Sequence, residues 1–139
     1  VPPHRAPAVV RASPLAGESG WIPVDPHTLQ TRFPGVYAVG DAATIMLKMG
    51  KPLPKAGVLA HGEAEVVAHN IAAEIIGRAE RRSFDGHGEC FIETGNGRAG
   101  FGSGNFYAEP TPKIRLRQPS SILHYGKVAF EKYWLFRWF

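Results

Sequence analysis

The sequence predicts an α/β fold with a β-hairpin and strand region and a C-terminal amphipathic helix. An unbroken apolar run at residues 36–39, bounded by glycines, is typical of a strand buried on both faces. Over residues 55–76, small and apolar residues recur every three or four positions, which predicts a long helix. Asn96-Gly97 between two strand-like segments predicts a type I′ hairpin, and basic and apolar residues alternate over residues 113–117.

Composition limits the function classes. A length of 139 residues with 44% hydrophobic and 20% charged residues suits one globular domain. The net charge of +4 favours an anionic ligand or membrane surface, and no nucleic-acid recognition motif accompanies it. The single cysteine excludes an internal disulfide framework and fits a reducing compartment. Because the chain starts at Val1 without a methionine and ends in aromatic residues, we expect it to be a piece of something longer.

Gly40 and Asp41 follow the apolar run directly. In open α/β sheets the carboxyl edge of the strands is where ligands bind. Gly40, lacking a Cβ, lets a ligand approach the backbone, and the Asp41 carboxylate can accept two hydrogen bonds from a polyol. A core strand followed by a solvated aspartate turn remains the alternative.

The predicted long helix begins after Pro54, so Lys55, Ala56 and Gly57 lie at its start. Free backbone N–H groups make such a start electropositive, which suits a ligand with negative charge. The alternative is an ordinary packing helix. Gly77 is the predicted C-terminal cap, and the expected buried stripe is Ala60, Ala64, Val67, Ala68, Ile71 and Ile75.

Two further motifs are rejected. Residues 95–100 match the G-x-G-x-x-G dinucleotide fingerprint, but the glycine-rich segment that follows is a poor helix former, so we interpret them as the hairpin. His87 and Cys90 could suggest a metal pair, yet a structural zinc site usually has four ligands with more than one cysteine. We expect no metal.

Residues 28–41 resemble the second flavin-binding motif of two-dinucleotide-domain flavoproteins, in which the aspartate binds the ribityl hydroxyls of FAD. The resemblance implies that role for Asp41, with Gly40 beside it, and FAD as the cofactor. It also implies that the fold is the C-terminal part of such a flavoprotein. We expect residues 1–79 to complete the FAD-binding domain and residues 80–139 to form a strand region and a membrane- and quinone-facing helix.

The order of Gly40-Asp41, the Pro54-Lys55-Ala56-Gly57 segment, Cys90 and residues 124–134 resembles the C-terminal half of sulfide:quinone oxidoreductases and related flavocytochrome c sulfide dehydrogenase-like flavoproteins. The resemblance implies that Cys90 is a redox-active catalytic residue working with a second cysteine, although this chain has only one. It implies a quinone site at Phe91 and Phe130, with Lys127 near the flavin. The alternatives are a core cysteine, a core aromatic and a snorkelling lysine.

The function implied is an FAD-dependent oxidoreductase that passes electrons from sulfide to a membrane quinone. We expect the C-terminal helix to contact the membrane surface at its cytoplasmic face, and the protein to be a peripheral homo-oligomer. Two alternatives stay open: a type II NADH:quinone oxidoreductase with a structural Cys90, and a non-catalytic membrane-binding module. We expect the 139-residue chain alone neither to retain FAD tightly nor to turn over.

Overall fold

The structure is a computed structural model that describes residues 4–139. The elements of this part of the chain are helices α1 (Ala8–Arg11), α2 (Gly57–Ile75) and α3 (Ser121–Trp138), and strands β1 (Ile22–Pro23), β2 (Ala43–Thr44), β3 (His87–Gly95), β4 (Arg98–Asn105) and β5 (Lys113–Ser120). A single 3₁₀ turn, Gly40–Ala42, precedes β2. The predicted mixture of helices and sheet with a C-terminal helix is confirmed.

The strands form two sheets. β1 and β2 pair in parallel, and β3, β4 and β5 form an antiparallel sheet in sequence order, with α3 packed against it. Asn96 and Gly97 have φ angles of 53° and 63°, as a type I′ turn requires. The hairpin prediction is confirmed, and residues 95–100 therefore cannot form a pyrophosphate loop that opens a helix.

Helix α2 ends as predicted but buries a different face. Gly77 has a φ of 69°, and the following N–H donates to the carbonyl of Ala73, which closes the helix. The predicted stripe is wrong: Ile71 and Ile75 are exposed, Ala64 and Ala68 are exposed as well, and Ala60 and Val67 are half-buried. The helix has apolar residues on more than one face, and the core takes the face formed by Leu59, Glu63, Val66, Asn70 and Ala73.

The larger of two hydrophobic clusters lies between α2 and the loops around it. Its buried members are Leu29, Ile45, Leu53, Leu59, Val66 and Phe84. Phe106 and Tyr107, which follow β4, pack against this cluster. The core thus contains residues from both sides of position 80, and the division of the chain at that position stays a prediction.

Three local predictions are wrong. Residues 36–39 form no regular strand: Tyr37 makes one isolated bridge to Gln30, and Val36 is exposed. The apolar run at 8–10, expected as a strand, lies in the short helix α1. β5 forms as expected but is not half-buried, since Ile114 and Leu116 are exposed along with its basic residues. The apolar side chains of the first two segments still contribute to burial, since Ala38 and Val10 pack with Ile22 and Ala43, whereas the apolar residues of β5 remain exposed.

Candidate functional site

The Gly40–Ala42 turn is held against α2 by a buried carboxylate. The Gly40 N–H donates to Oε2 of Glu63 at 2.6 Å, and Glu63 is only 3% exposed. Gly40 has a φ of 64°, and a Cβ added there would lie 3.1 Å from the Cβ of Ala60. Two independent features therefore favour glycine at this position: the positive φ angle of the backbone and the close approach of α2.

Lys55 holds the other side of the same turn. Its Nζ donates to the carbonyl oxygens of Asp41 at 2.5 Å and Ala43 at 2.9 Å, and lies 3.7 Å from the ring centroid of Trp21. Burial lowers the pKa of Lys55, while the negative charges of Asp41 and Glu63 act against that shift. The ammonium group is thus engaged by backbone carbonyls and an aromatic face.

The start of α2 adjoins this turn. Ala56 is the N-cap residue, and it provides no side-chain cap for the helix. A Cβ added at Gly57 would meet no atom within 4 Å, so the first turn of α2 is open to approach at that point. Its unbonded N–H groups can donate hydrogen bonds to an anionic partner.

The structure brings the predicted residues Gly40, Lys55 and Ala56 together around one small cavity of about 10 Å³. That volume suits at most one water molecule, so a larger ligand would have to lie on the outer side of the turn. Asp41 is exposed there. The aspartate lies in a 3₁₀ turn and not at the end of a regular strand, which corrects the expected local structure.

Sequence reasoning missed Glu63, which lines the same cavity. Burial raises the pKa of its carboxyl above the ordinary value, opposed by the Gly40 N–H and the Lys55 charge. Glu63 and Glu65 lie two residues apart in α2, and only the packing of the helix decides that Glu63 is buried and Glu65 exposed. Glu63 could have been identified from the sequence only if the buried face of α2 had been assigned correctly.

Cys90 is exposed and lies in the middle of β3. Its Sγ donates to the carbonyl of Phe91 at 3.0 Å. By strand alternation Cys90 shares a face of the sheet with Gly88, where an added Cβ would lie 2.7 Å from the side chain of Leu59. Since Leu59 also lines the small cavity, this face of β3 points to the side of the Gly40 turn. The interpretation of Cys90 as a buried core residue does not hold for the described chain.

Phe91 points to the opposite face of β3, towards α3. Its ring lies 5.0 Å from that of Phe101 and 6.2 Å from that of Phe130. Lys127, one turn earlier on α3, lies 3.2 Å from Glu131 and 4.0 Å from Glu93. The three residues predicted for the quinone and flavin ends, Phe91, Lys127 and Phe130, are therefore neighbours, on the other side of the sheet from Cys90.

A second, larger cavity of about 240 Å³ adjoins the first, and Ile45 lines both cavities. It contains none of the predicted site residues, and its walls include Met46, Met49, Phe106, Tyr107, Pro110 and Pro112. Within residues 4–139, no group of three His, Cys, Asp or Glu side chains is arranged to hold a metal ion. The helices of that same range are too short or too polar to cross a membrane.

The chain is similar in sequence to sulfide:quinone oxidoreductases. It is 33% identical over 99 residues to the mitochondrial sulfide:quinone oxidoreductase of Schizosaccharomyces pombe, an alignment that spans 70% of this chain and 20% of that protein. It is 26% identical over 110 residues to the mitochondrial sulfide:quinone oxidoreductase of Mus musculus, covering 78% of this chain and 23% of that one. The chain thus spans about a fifth of the length of these relatives. No family model matches the chain.

The fold is also similar to a solved structure. The sulfide:quinone oxidoreductase from the hyperthermophilic bacterium Aquifex aeolicus superposes with a TM-score of 0.78 at 24% identity. The match covers 96% of this chain and 32% of that one. The resemblance that the sequence motifs indicated is therefore confirmed: the chain is sulfide:quinone oxidoreductase-like in sequence and in fold.

Proposed function

We propose that this sulfide:quinone oxidoreductase-like chain is part of an FAD-dependent oxidoreductase that passes electrons from sulfide to a membrane quinone. The observation that carries the proposal is the assembly of Gly40, Lys55 and Ala56 around one cavity, with Asp41 exposed beside it. Gly40, which belongs to the stretch that resembles a flavin-binding motif, meets Lys55 and Ala56 at the start of the helix that follows. The similarity to proteins of that name supports the same activity.

The residues fit a flavin on the outer side of the turn. Asp41 is exposed and would accept hydrogen bonds from the ribityl hydroxyls. The open first turn of α2 at Gly57 would face negative charge on the cofactor. Lys55 would act mainly by fixing the turn, because its donors are directed to the carbonyls of Asp41 and Ala43. The flavin, when bound, supplies two-electron redox chemistry.

The two remaining parts of the site are assigned to the two substrates. Cys90, exposed on the side of the Gly40 turn, would be one cysteine of a disulfide that hydrosulfide attacks: a new S–S bond forms, the disulfide bond breaks, and the other cysteine leaves as a thiolate. A second cysteine, which this sequence does not contain, would share that role. Phe91 and Phe130, on the opposite face of the sheet, would stack against the quinone, with Lys127 supplying positive charge. Sulfide is oxidised and the quinone reduced by two electrons.

Membrane contact is proposed for α3. Phe136 is 89% exposed and Phe139, directly after the helix, is 97% exposed, and the basic residues Lys132 and Arg137 lie nearby in the sequence. Exposed aromatic and basic residues on one helix are typical of a segment lying in a membrane interface. The protein would be peripheral, and the cytoplasmic face and homo-oligomeric state remain part of the proposal.

Sulfide-dependent bleaching of the bound flavin in the full-length protein tests the function. We expect sulfide to bleach the flavin, Cys90→Ser to abolish the bleaching, and NADH not to replace sulfide. An Asp41→Asn variant should lose FAD, whereas Glu74→Gln, which alters an exposed carboxylate in the last turn of α2, should keep it. Bleaching by NADH that persists in Cys90→Ser would instead indicate a type II NADH:quinone oxidoreductase.

A further inference from the structure

We propose that Glu63 is a positioning residue that holds the Gly40 turn in the shape that presents Asp41 to the flavin, an inference that rests on the flavin site of the proposed function. The Gly40 N–H donates to the Glu63 carboxylate at 2.6 Å. A carboxylate that is only 3% exposed requires such donors, because burying it without them is costly. The bond joins α2 to the turn across 23 positions of the sequence.

Glu63 and Lys55 hold the turn in complementary ways. Glu63 accepts the N–H at the beginning of the turn, and Lys55 donates to the carbonyl oxygens of Asp41 and Ala43. The backbone N–H is thus bonded to a negatively charged carboxylate, and the two carbonyl oxygens are bonded to a positively charged ammonium group. Hydrogen bonds to charged groups are stronger than hydrogen bonds between neutral groups. The part of the turn that stays exposed is the Asp41 side chain.

The carboxylate couples the turn to pH. The charged groups that act on Glu63 are Lys55, before α2, and Asp41, in the turn. Tyr107, which follows β4, is also close enough to sense the Glu63 charge. Protonation of Glu63 would weaken the bond to the Gly40 N–H, because a neutral acid is a poorer acceptor than a carboxylate.

Backbone-amide NMR of the 139-residue chain without flavin tests this hold on the turn. In wild type we expect the Gly40 amide shift to titrate with Glu63. The titration should vanish in Glu63→Gln and persist in the matched control Glu65→Gln, whose carboxylate is exposed. A Gly40 shift that does not titrate, or that titrates equally in Glu63→Gln, overturns the proposal.

Hydrogen exchange provides a second readout. We expect the Gly40 amide to exchange about tenfold faster in Glu63→Met, and at nearly the wild-type rate in Glu63→Gln, which retains an acceptor oxygen. The Val66 amide inside α2 should not change by the same factor; equal acceleration at both amides would show that Glu63 only stabilises the helix, which overturns the proposal. If Glu63→Met does not fold, the titration of the Gly40 amide in wild type, Glu63→Gln and Glu65→Gln decides whether Glu63 holds the turn.

FAD occupancy of the full-length protein connects the turn to the site. It should fall in Glu63→Met and return in Glu63→Gln, and equal occupancy in all three proteins overturns the positioning role. If wild type itself binds no FAD, the proposed function fails, and the two amide measurements still decide whether Glu63 holds the turn.

Discussion

His61 on α2 lies edge-on to Trp134 on α3, with ring centroids 4.9 Å apart and an angle of 69° between the ring planes. His61 also lies 5.4 Å from the ring of Trp138. The helix that begins at the candidate flavin site and the terminal helix are thus joined by aromatic contacts. The aromatic residues of α3 therefore fall into two groups. Trp134 and Trp138 pack against His61, whereas Phe136 is exposed and can contact a membrane surface.

That separation predicts which α3 residues contact a membrane. Replacing Phe136 and Phe139 together with serine should reduce flotation with anionic liposomes without changing thermal stability, because both side chains are exposed. Trp134→Ala should instead destabilise the chain by about 1–3 kcal/mol, less than the loss of a fully buried aromatic. Liposome flotation and urea unfolding of both variants check this. Normal flotation of the Phe136/Phe139 variant would contradict the proposed membrane contact.

Glu63 makes stability depend on pH. Because burial raises its pKa in the folded state above the ordinary value of 4.5, the folded chain binds the proton more tightly than the unfolded chain. Its contribution is therefore most favourable below pH 4.5 and is lost as the pH rises through the raised pKa. We expect Glu63→Gln to gain stability relative to wild type on going from acidic to neutral pH. Urea unfolding across that range checks the sign, and a constant difference would contradict it.

Gly40→Ala tests the close approach between the turn and α2. A side chain at positive φ costs about 1–2 kcal/mol. Gly35→Ala is the matched control, since Gly35 has a similar φ of 74° but no atom within 4 Å of an added Cβ. Gly40→Ala should cost more than the control, because its Cβ would lie 3.1 Å from that of Ala60. Equal free energies of unfolding for the two variants would show that the contact is accommodated freely.

Asn70 fixes the segment that follows α2. Its side-chain amide donates to the carbonyl of Arg82 at 2.9 Å, and its side-chain oxygen accepts the Arg82 N–H at 2.8 Å. Asn70→Leu should destabilise the chain by about 1–3 kcal/mol, because both backbone groups lose their partner. Trypsin should also cleave faster at residues 78–82. Glu74→Ala, an exposed change on the same helix, should leave the cleavage rate unaltered.

Cys90 should react in the native state. Its exposure predicts stoichiometric labelling by iodoacetamide without denaturant. Cys90→Ser should change the free energy of unfolding by less than about 0.5 kcal/mol, as is usual for surface substitutions. Labelling that requires denaturant, or a larger loss of stability, would restore the interpretation of Cys90 as a core residue.

The amino-acid sequence by itself determined the features that depend on near neighbours. The hairpin at Asn96-Gly97, the end of α2 at Gly77 and the existence of α2 and α3 follow from local backbone preferences and periodicity, and all are observed. The choice of Gly40, Lys55 and Ala56 as site residues came from the resemblance, and their role stays a prediction; the structure shows that they line one cavity.

Only the tertiary structure decided which faces are buried. Helix α2 carries apolar residues on more than one side, so its periodicity cannot select the side formed by Leu59 and Val66. That choice depends on which side meets the loops before the helix, and it buries the polar side chains of Glu63 and Asn70, whose partners Gly40 and Arg82 are distant in the sequence. Local pattern determines that a helix forms, whereas burial and hydrogen-bond pairing over long separations determine which of its residues build the site.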